Sequence, residues 1–141
     1  MDSELSIVEV PANDLDFISK RIRAYLEDGR DAAQFNYSPH AIGLSLEREG
    51  ETVGGLVGEV HCDWFYIKLL AVSPEVQGQG CGRSLVGCAE QLAREKRCIG
   101  IWVNTYSFQA PGFYLSLGFQ EFGRLPDNPI GHDRVFFFKR F

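Results

Sequence analysis

Three alternating glycines stand between a continuously apolar segment and a segment of helical periodicity. They are Gly78, Gly80 and Gly82, and they follow Val72. Glycine permits positive φ and lets a ligand approach the main chain closely, and a helix N-terminus presents unpaired N–H groups with a partial positive charge. The spacing therefore predicts a phosphate cradle. A tight turn is the alternative, but three glycines at this spacing exceed what one turn needs.

Two common phosphate-binding motifs do not fit this loop. The dinucleotide fingerprint GxGxxG requires a glycine where Arg83 stands. The nucleotide P-loop requires GxxxxGK followed by serine or threonine, a string that the chain lacks. A redox protein that binds a nicotinamide or flavin is therefore disfavoured.

The glycine loop needs a buried strand before it and a helix after it, and the sequence predicts both. The segment from Trp64 to Val72 is too continuously apolar for an edge strand and is typical of a central strand covered on both faces. After the loop, apolar residues recur at i, i+3, i+4 and i+7, which predicts one face of a helix. These residues are Leu85, Cys88, Ala89 and Leu92.

Strand and helix patterns also flank this central part. Before it, they predict a strand over 5–10, a helix from Leu15 and a hairpin from Ile42 to Val60. The helix has Ile18, Ile22 and Leu26 on one face, and Gly29 ends it. After it, they predict a strand from Ile99 to Val103, a short helix between Pro111 and Gly118, and strands from Phe119 to Arg124 and from Arg134 to Phe141. Strands that alternate with helices in the middle and hairpins at each side predict an α/β or α+β domain with a mixed sheet.

Composition excludes several other classes of protein. The 141 residues are 45% hydrophobic and 23% charged, which predicts one globular domain over residues 1–141. The formal net charge is −5, so we expect no nucleic-acid partner. The N-terminus lacks a signal-peptide pattern, and the most apolar stretch is too short to span a membrane. We expect a cytoplasmic protein with no membrane partner.

The four cysteines do not suggest a disulfide framework or a metal centre. They show no CxxC pair and no histidine at metal-ligand spacing. Without a secretory signal, reduced thiols are the favoured state. The cysteines are Cys62, Cys81, Cys88 and Cys98. We therefore expect no metal cofactor.

The run VSPEVQGQGCGRSL resembles the acyl-coenzyme A loop of the GCN5-related N-acetyltransferases, the GNAT family. The family pattern is Gln or Arg, two residues, Gly, one residue, then Gly or Ala, and Gln77, Gly80 and Gly82 fill it. The resemblance implies that the strand before the loop pairs through its backbone with the pantetheine arm, and that the loop amides hold the pyrophosphate. The cofactor-binding residues implied are Leu70, Ala71, Val72, Gln77, Gly78, Gln79, Gly80, Cys81, Gly82 and Arg83.

A second run resembles the same family. The family typically shows Asn, Ala three residues later, Tyr seven residues after the Asn, and a closing Gly-Phe. The matching residues here are Ala110, Tyr114, Gly118 and Phe119. Ser107 stands at the Asn position, so the resemblance implies a cofactor contact there, and Asn104, three residues earlier, is an alternative.

Tyr114 is the predicted catalytic residue. Collapse of a tetrahedral intermediate expels a thiolate. A phenol with a reference pKa of about 10 stays protonated at neutral pH and can donate a proton to a thiol-like leaving group of pKa about 8.5. The resemblance implies this role as general acid. The alternative is a tyrosine packed for its ring alone.

No general base is evident from the sequence. Glu59, His61 and Asp63 are candidates by position only, and Trp102 stands where some relatives carry a glutamate. Water is a further candidate, because roughly a tenth of an amine of pKa about 8 is neutral at pH 7. His132 lies in the loop before the last strand and is a candidate for contact with the substrate.

The two motifs together imply a GNAT-like fold, with a mixed, largely antiparallel central sheet flanked by helices. We expect an N-acetyltransferase that moves an acetyl group from acetyl-CoA to a primary amine, preferably of a small molecule and otherwise of a protein N-terminus or lysine. Direct transfer in a ternary complex is favoured, since Cys81 lies in the cofactor loop and no Cys/His pair is evident. The alternative is a non-catalytic acyl-CoA-binding sensor. The sequence leaves open whether the chain forms a homodimer.

Overall fold

The computed structural model describes residues 4–27 and 39–141. Contacts divide the chain into two compact units, residues 1–35 and residues 36–141. The expectation of one domain over residues 1–141 stays a prediction.

The first unit contains one described helix. A 3₁₀ turn, Ala12–Asp14, leads into α1, Leu15–Glu27, which confirms the helix predicted from Leu15. Gly29, its predicted end, lies outside the described residues. Residues 4–11 form no strand, so the strand predicted over 5–10 is wrong. Alternating apolar residues favour a strand, but a strand forms only when its backbone groups pair with those of another strand.

The second unit is built on a sheet of six strands within residues 39–141, in the order β1-β2-β3-β4-β6-β5. The strands are β1 (His40–Arg48), β2 (Glu51–His61), β3 (Trp64–Val72), β4 (Gly100–Tyr106), β5 (Gln120–Leu125) and β6 (Arg134–Arg140). Of these strands only β3 and β4 pair in parallel. The predicted mixed, largely antiparallel sheet is therefore confirmed, as is the central position of β3. The expected coverage of β3 on both faces is wrong, because Leu69 is 68% exposed.

Two helices connect the strands of this sheet. Helix α2 is Cys81–Glu95, and helix α3 is Pro111–Ser116. Gly118 follows the C-cap of α3 with φ of +89°, as the glycine pattern predicts. Cys88 is exposed, so its predicted place on the buried face of α2 is wrong. The buried face runs instead through Leu85, Val86, Ala89 and Ala93, because residues four apart lie in line on a helix. No helix within residues 4–27 and 39–141 is long and apolar enough to cross a bilayer.

One face of the sheet forms the core with α2 and α3. Alternate residues of the three central strands point to this face and are 3% exposed or less. They are Phe65, Ile67, Ile101, Val103, Val135 and Phe137. The residues between them, such as Tyr66 and Asn104, therefore lie on the opposite face.

The sheet opens between its two parallel strands. The ladder joins only Trp64–Ile67 of β3 to Gly100–Val103 of β4. In the β2–β3 ladder the register shifts between Val57 and Gly58, which leaves Lys68 without a partner residue, and an extra residue of this kind bends a strand. The rest of β3 pairs with β2 alone. Its edge towards β4 therefore carries main-chain N–H and C=O groups that no described strand pairs.

A methyl group added at Gly58 is expected to destabilise the second unit at this bulge. The new Cβ would lie 2.6 Å from Cε1 of Phe65 and against the carbonyl oxygen of Tyr66. Overpacking of this kind costs about 1–3 kcal/mol. Gly43→Ala is the matched control, because a Cβ there meets no atom within 4 Å. Urea unfolding should show a lower midpoint for Gly58→Ala alone, and equal midpoints would contradict tight packing at the bulge.

Candidate active site

The separated strands line a cleft of about 850 Å³ within the second unit. Tyr66 to Val72 of β3 form one wall, and Val103 to Tyr106 of β4 form the other. The glycine loop and the first turn of α2 also line the cleft, and α3 contributes Phe113 and Tyr114. Two motifs that are separate in the sequence therefore meet in one ligand-sized space.

The glycine loop uses a backbone conformation that its glycines permit. Gly78 and Gly80 both have φ of +79°, in the left-handed region that side chains disfavour. An added Cβ at either position would meet no atom within 4 Å, so the space beside the loop is open. Gly80 is the N-cap of α2 and supplies no side-chain cap. The first amides of α2 are therefore available to an anionic ligand.

Gly82 is glycine for a different reason. A Cβ at this position would lie 3.2 Å from Cζ of Phe113, which is tighter than an ordinary contact. The absence of a side chain lets the first turn of α2 approach α3. Gly82 thereby packs the glycine loop against the helix that carries Tyr114.

Nine of the eleven predicted cofactor-binding residues line the cleft: Leu70, Ala71, Val72, Gln77, Gly78, Gly80, Cys81, Gly82 and Arg83. Gln79 does not, and its Nε2 donates to the main-chain oxygen of Glu75 at 3.4 Å. Ser107 also lies outside the lining, because its hydroxyl accepts the N–H of Asp133 at 2.9 Å. Asn104, the alternative to Ser107, does line the cleft.

Tyr114 reaches the cleft from α3 and is 7% exposed. Its ring lies 5.0 Å from that of Phe113, 5.6 Å from that of Phe119 and 5.8 Å from that of Phe137, measured between centroids. Burial raises the pKa of its hydroxyl to about 12, because the apolar surroundings disfavour the phenolate. The hydroxyl donates to no group in the described part of the chain. It is therefore a protonated donor available to a ligand in the cleft.

The side chains proposed as a base or as a substrate contact lie outside the cleft lining: Glu59, His61, Asp63 and His132. Oε2 of Glu59 lies 2.9 Å from Nζ of Lys68, so its charge is neutralised by an ion pair. The ring of His132 lies edge-on to that of Phe108, with 5.0 Å between centroids. Trp102 stacks on Tyr66 with 4.0 Å between centroids. No three His, Cys, Asp or Glu side chains of residues 4–27 and 39–141 converge as a metal-ligand set.

The sequence interpretation missed a polar cluster in the cleft. Nε of Arg134 donates to Oδ1 of Asn104 at 2.7 Å, and Nδ2 of Asn104 donates to the hydroxyl of Tyr66 at 3.0 Å. The alternation of Asn104 and Tyr106 with buried Val103 was a usable signal that both face away from the core. The sequence gives no such signal for Arg134, because the residues that it contacts on β4 are set by the register between β6 and β4.

Comparison with known proteins agrees with this geometry. The acetyltransferase (GNAT) domain family matches residues 39–121, which contain both motifs. The chain is 43% identical over 96 residues to blasticidin-S acetyltransferase of Streptomyces morookaense, covering 67% of this chain and 68% of that protein. It is 34% identical over 119 residues to a peptidyl-lysine N-acetyltransferase of Salmonella typhimurium, covering 82% of this chain and 73% of that protein.

A solved structure shows the same similarity in three dimensions. An acetyltransferase from Bacillus cereus matches with a TM-score of 0.85 at 29% identity, covering 97% of this chain and 98% of that one. The family match extends over more than half of the chain, and the curated relatives share at least 30% of the aligned residues. The chain therefore belongs to the GCN5-related N-acetyltransferase family, and it is an acetyl-CoA-dependent N-acetyltransferase.

Proposed function

We propose that this enzyme moves the acetyl group of acetyl-CoA to the primary amine of a small molecule, by direct transfer in a ternary complex. The observation that carries the proposal is the cleft itself. In it an unpaired strand edge, the amides of a helix N-terminus and a protonated tyrosine line one space.

The two halves of the cofactor match two different parts of the cleft. The amides of the pantetheine arm can pair with the free edge of β3 as another strand would, and Leu70 to Val72 are the residues we assign to this pairing. The pyrophosphate suits the start of α2, where the amides from Gly78 to Arg83 and the helix dipole favour an anion. The guanidinium of Arg83 adds a positive charge at this end.

In direct transfer the lone pair of the neutral amine attacks the thioester carbonyl carbon. The resulting tetrahedral intermediate collapses by breaking its C–S bond. Tyr114 gives its phenolic proton to the departing thiolate, and the attacking nitrogen loses a proton to water. The products are the acetylated amine and the thiol of coenzyme A, and the tyrosinate regains its proton from solvent. A pKa of about 12 keeps Tyr114 protonated before the step.

The side chains in the cleft support direct transfer over a covalent acetyl-enzyme. Cys81 is the one cysteine among the described residues that line the cleft, and it lies in the cofactor loop. None of these lining residues is a histidine that could activate it. The candidate bases also lie outside the lining, so water is the proposed proton acceptor.

The relatives support a small-molecule acceptor first and a protein lysine second. The relative at 43% identity is named for blasticidin-S, and the relative at 34% is named for peptidyl-lysine. Thiol release from acetyl-CoA should therefore be measured with a panel of small amines and with a lysine peptide. We expect turnover with small amines and intersecting initial-velocity lines. Parallel lines would contradict the ternary complex, and tight acetyl-CoA binding without thiol release would identify a non-catalytic sensor.

Replacement of Gly80 by Asp is expected to weaken acetyl-CoA binding steeply while the fold survives. The new carboxylate would stand in the open space beside the loop and repel the pyrophosphate. Gly80→Asn adds the same bulk without charge and should weaken binding less. Gly50→Asp is the control for backbone strain, because Gly50 has φ of +81° in the β1–β2 turn and equally open surroundings. Calorimetry measures binding, and unchanged affinity in Gly80→Asp would move the cofactor site elsewhere.

Replacement of Tyr114 by Phe is expected to lower kcat by about 10²–10⁴, the usual contribution of a general acid. The ring contacts stay, so thermal stability and the dissociation constant of acetyl-CoA should change little. Steady-state kinetics and direct binding on one preparation make the test. A variant that keeps more than about half of the wild-type kcat, with chemistry rate-limiting, would leave Tyr114 as a packing residue.

The raised pKa of Tyr114 predicts the alkaline side of the pH profile. A general acid is active in its protonated form, so its activity is lost only as the pH rises through its pKa. With a pKa of about 12, Tyr114 stays protonated throughout the mildly alkaline range. The kcat of the wild type should therefore rise or stay level there as more amine becomes neutral. A fall of kcat centred near the ordinary phenol pKa of about 10, in a protein that stays folded, would contradict the assignment.

A further inference from the structure

The cleft extends to the face of the sheet opposite α3. Val103 is buried in the core beneath the helices, so the next residue, Asn104, projects from the other face of β4, as does Tyr106 two residues further on. Arg134 is the register partner of Tyr106, and partner residues on adjacent strands share a face. The polar cluster therefore lies across the sheet from Tyr114, although both line the same cleft.

Arg134 is held firmly but its charge is not neutralised. Its Nε donates to Asn104 at 2.7 Å, and its Cζ lies 5.6 Å from the ring centroid of Tyr106 and 5.9 Å from that of Phe136. Within residues 4–27 and 39–141 its two terminal amino groups have no hydrogen-bond acceptor, and no carboxylate lies within ion-pair distance. A rigid guanidinium with free terminal amino groups is suited to bidentate binding of a carboxylate.

The charged side chains near Arg134 form ion pairs with other residues. The carboxylate of Asp133, next to Arg134 in sequence, lies 3.2 Å from Arg124. Lys68 is paired with Glu59. None of the described residues that line the cleft is Asp or Glu, although the chain has 19 acidic residues. The cleft thus presents Arg134 without a counter-ion, on the face away from the predicted phosphate site.

We propose that Arg134 binds a carboxylate on the acceptor, so that the preferred substrates are amines that also carry a carboxylate, such as amino acids. This inference rests on the proposed function, since it concerns the acceptor of the same reaction. A simple amine is a cation in neutral solution and is repelled by an unpaired arginine in a cleft without acidic side chains. An acceptor that also brings a carboxylate neutralises Arg134 and is attracted to it.

The test compares acceptors that differ only in the carboxylate. Amino acids with increasing separation between amine and carboxylate, from glycine to 6-aminohexanoate, are assayed beside the carboxamide of each. Wild type should prefer at least one carboxylate over its carboxamide by about 10- to 100-fold in kcat/KM, the range for a hydrogen bond to a charged group. Arg134→Gln should remove that preference, mainly by raising KM for the carboxylates. It should not lower kcat/KM for the carboxamides, because their cationic amines lose a repelling charge, and acetyl-CoA affinity should not fall. Arg134→Lys should restore part of it.

Arg140→Gln is the matched control, because Arg140 lies on the same strand and is exposed outside the cleft. It should keep the full preference. Equal rates for carboxylate and carboxamide in wild type would overturn the inference and leave the proposed function standing. Equal losses for both acceptors in Arg134→Gln, or weaker acetyl-CoA binding, would also overturn it. If no amine in the panel caused thiol release from acetyl-CoA, both proposals would be wrong.

Discussion

Parallel pairing between β3 and β4 stops after Ile67 and Val103, because the extra residue Lys68 bends β3 as it continues along β2. Unpaired main-chain groups normally occur at the edge of a sheet, where they invite unwanted strand pairing. Here they lie in the middle of the sheet, within a cleft. These N–H and C=O groups stay unpaired when the protein folds. A ligand that carries amides of its own can form hydrogen bonds with them.

The same opening determines where the other site residues lie. Gly82 lets α2 approach α3, with Phe113 in contact with both the glycine loop and Tyr114. Core packing around Tyr114 then has an electrostatic result, since it raises the pKa of the hydroxyl and holds the proton on the oxygen. Packing and acid strength are therefore two results of one arrangement of helices.

The charge of the cleft is opposite in sign to the net charge of the chain. The formal net charge is −5, yet no described lining residue of the cleft is acidic, while Lys68, Arg83 and Arg134 are basic. Lys68 is neutralised by Glu59, which leaves the two arginines for a ligand, one on α2 and one on β6. The net charge of the chain does not describe the site, because the electrostatic field in a cleft is set by the local placement of charges.

The sequence by itself determined the features that depend on neighbours in the chain. The glycine loop, the central apolar strand, the hairpin and the Pro111–Gly118 helix each follow from local backbone preference and periodicity, and each is present. Prediction was wrong for residues 5–10 and Cys88, because periodicity indicates which face is apolar but does not supply a partner to cover it.

Only the tertiary structure decided which side chains share the cleft. Ser107 stands at the Asn position of a motif but accepts the N–H of Asp133. Arg134 belongs to no motif and donates to Asn104, which in turn donates to Tyr66. These contacts depend on strand register and on the bulge at Lys68, and a shift of one residue would turn each side chain to the other face. Pairing between distant segments sets register, so the sequence determined the glycine loop, while the tertiary structure decided that Arg134 and Asn104 share the cleft.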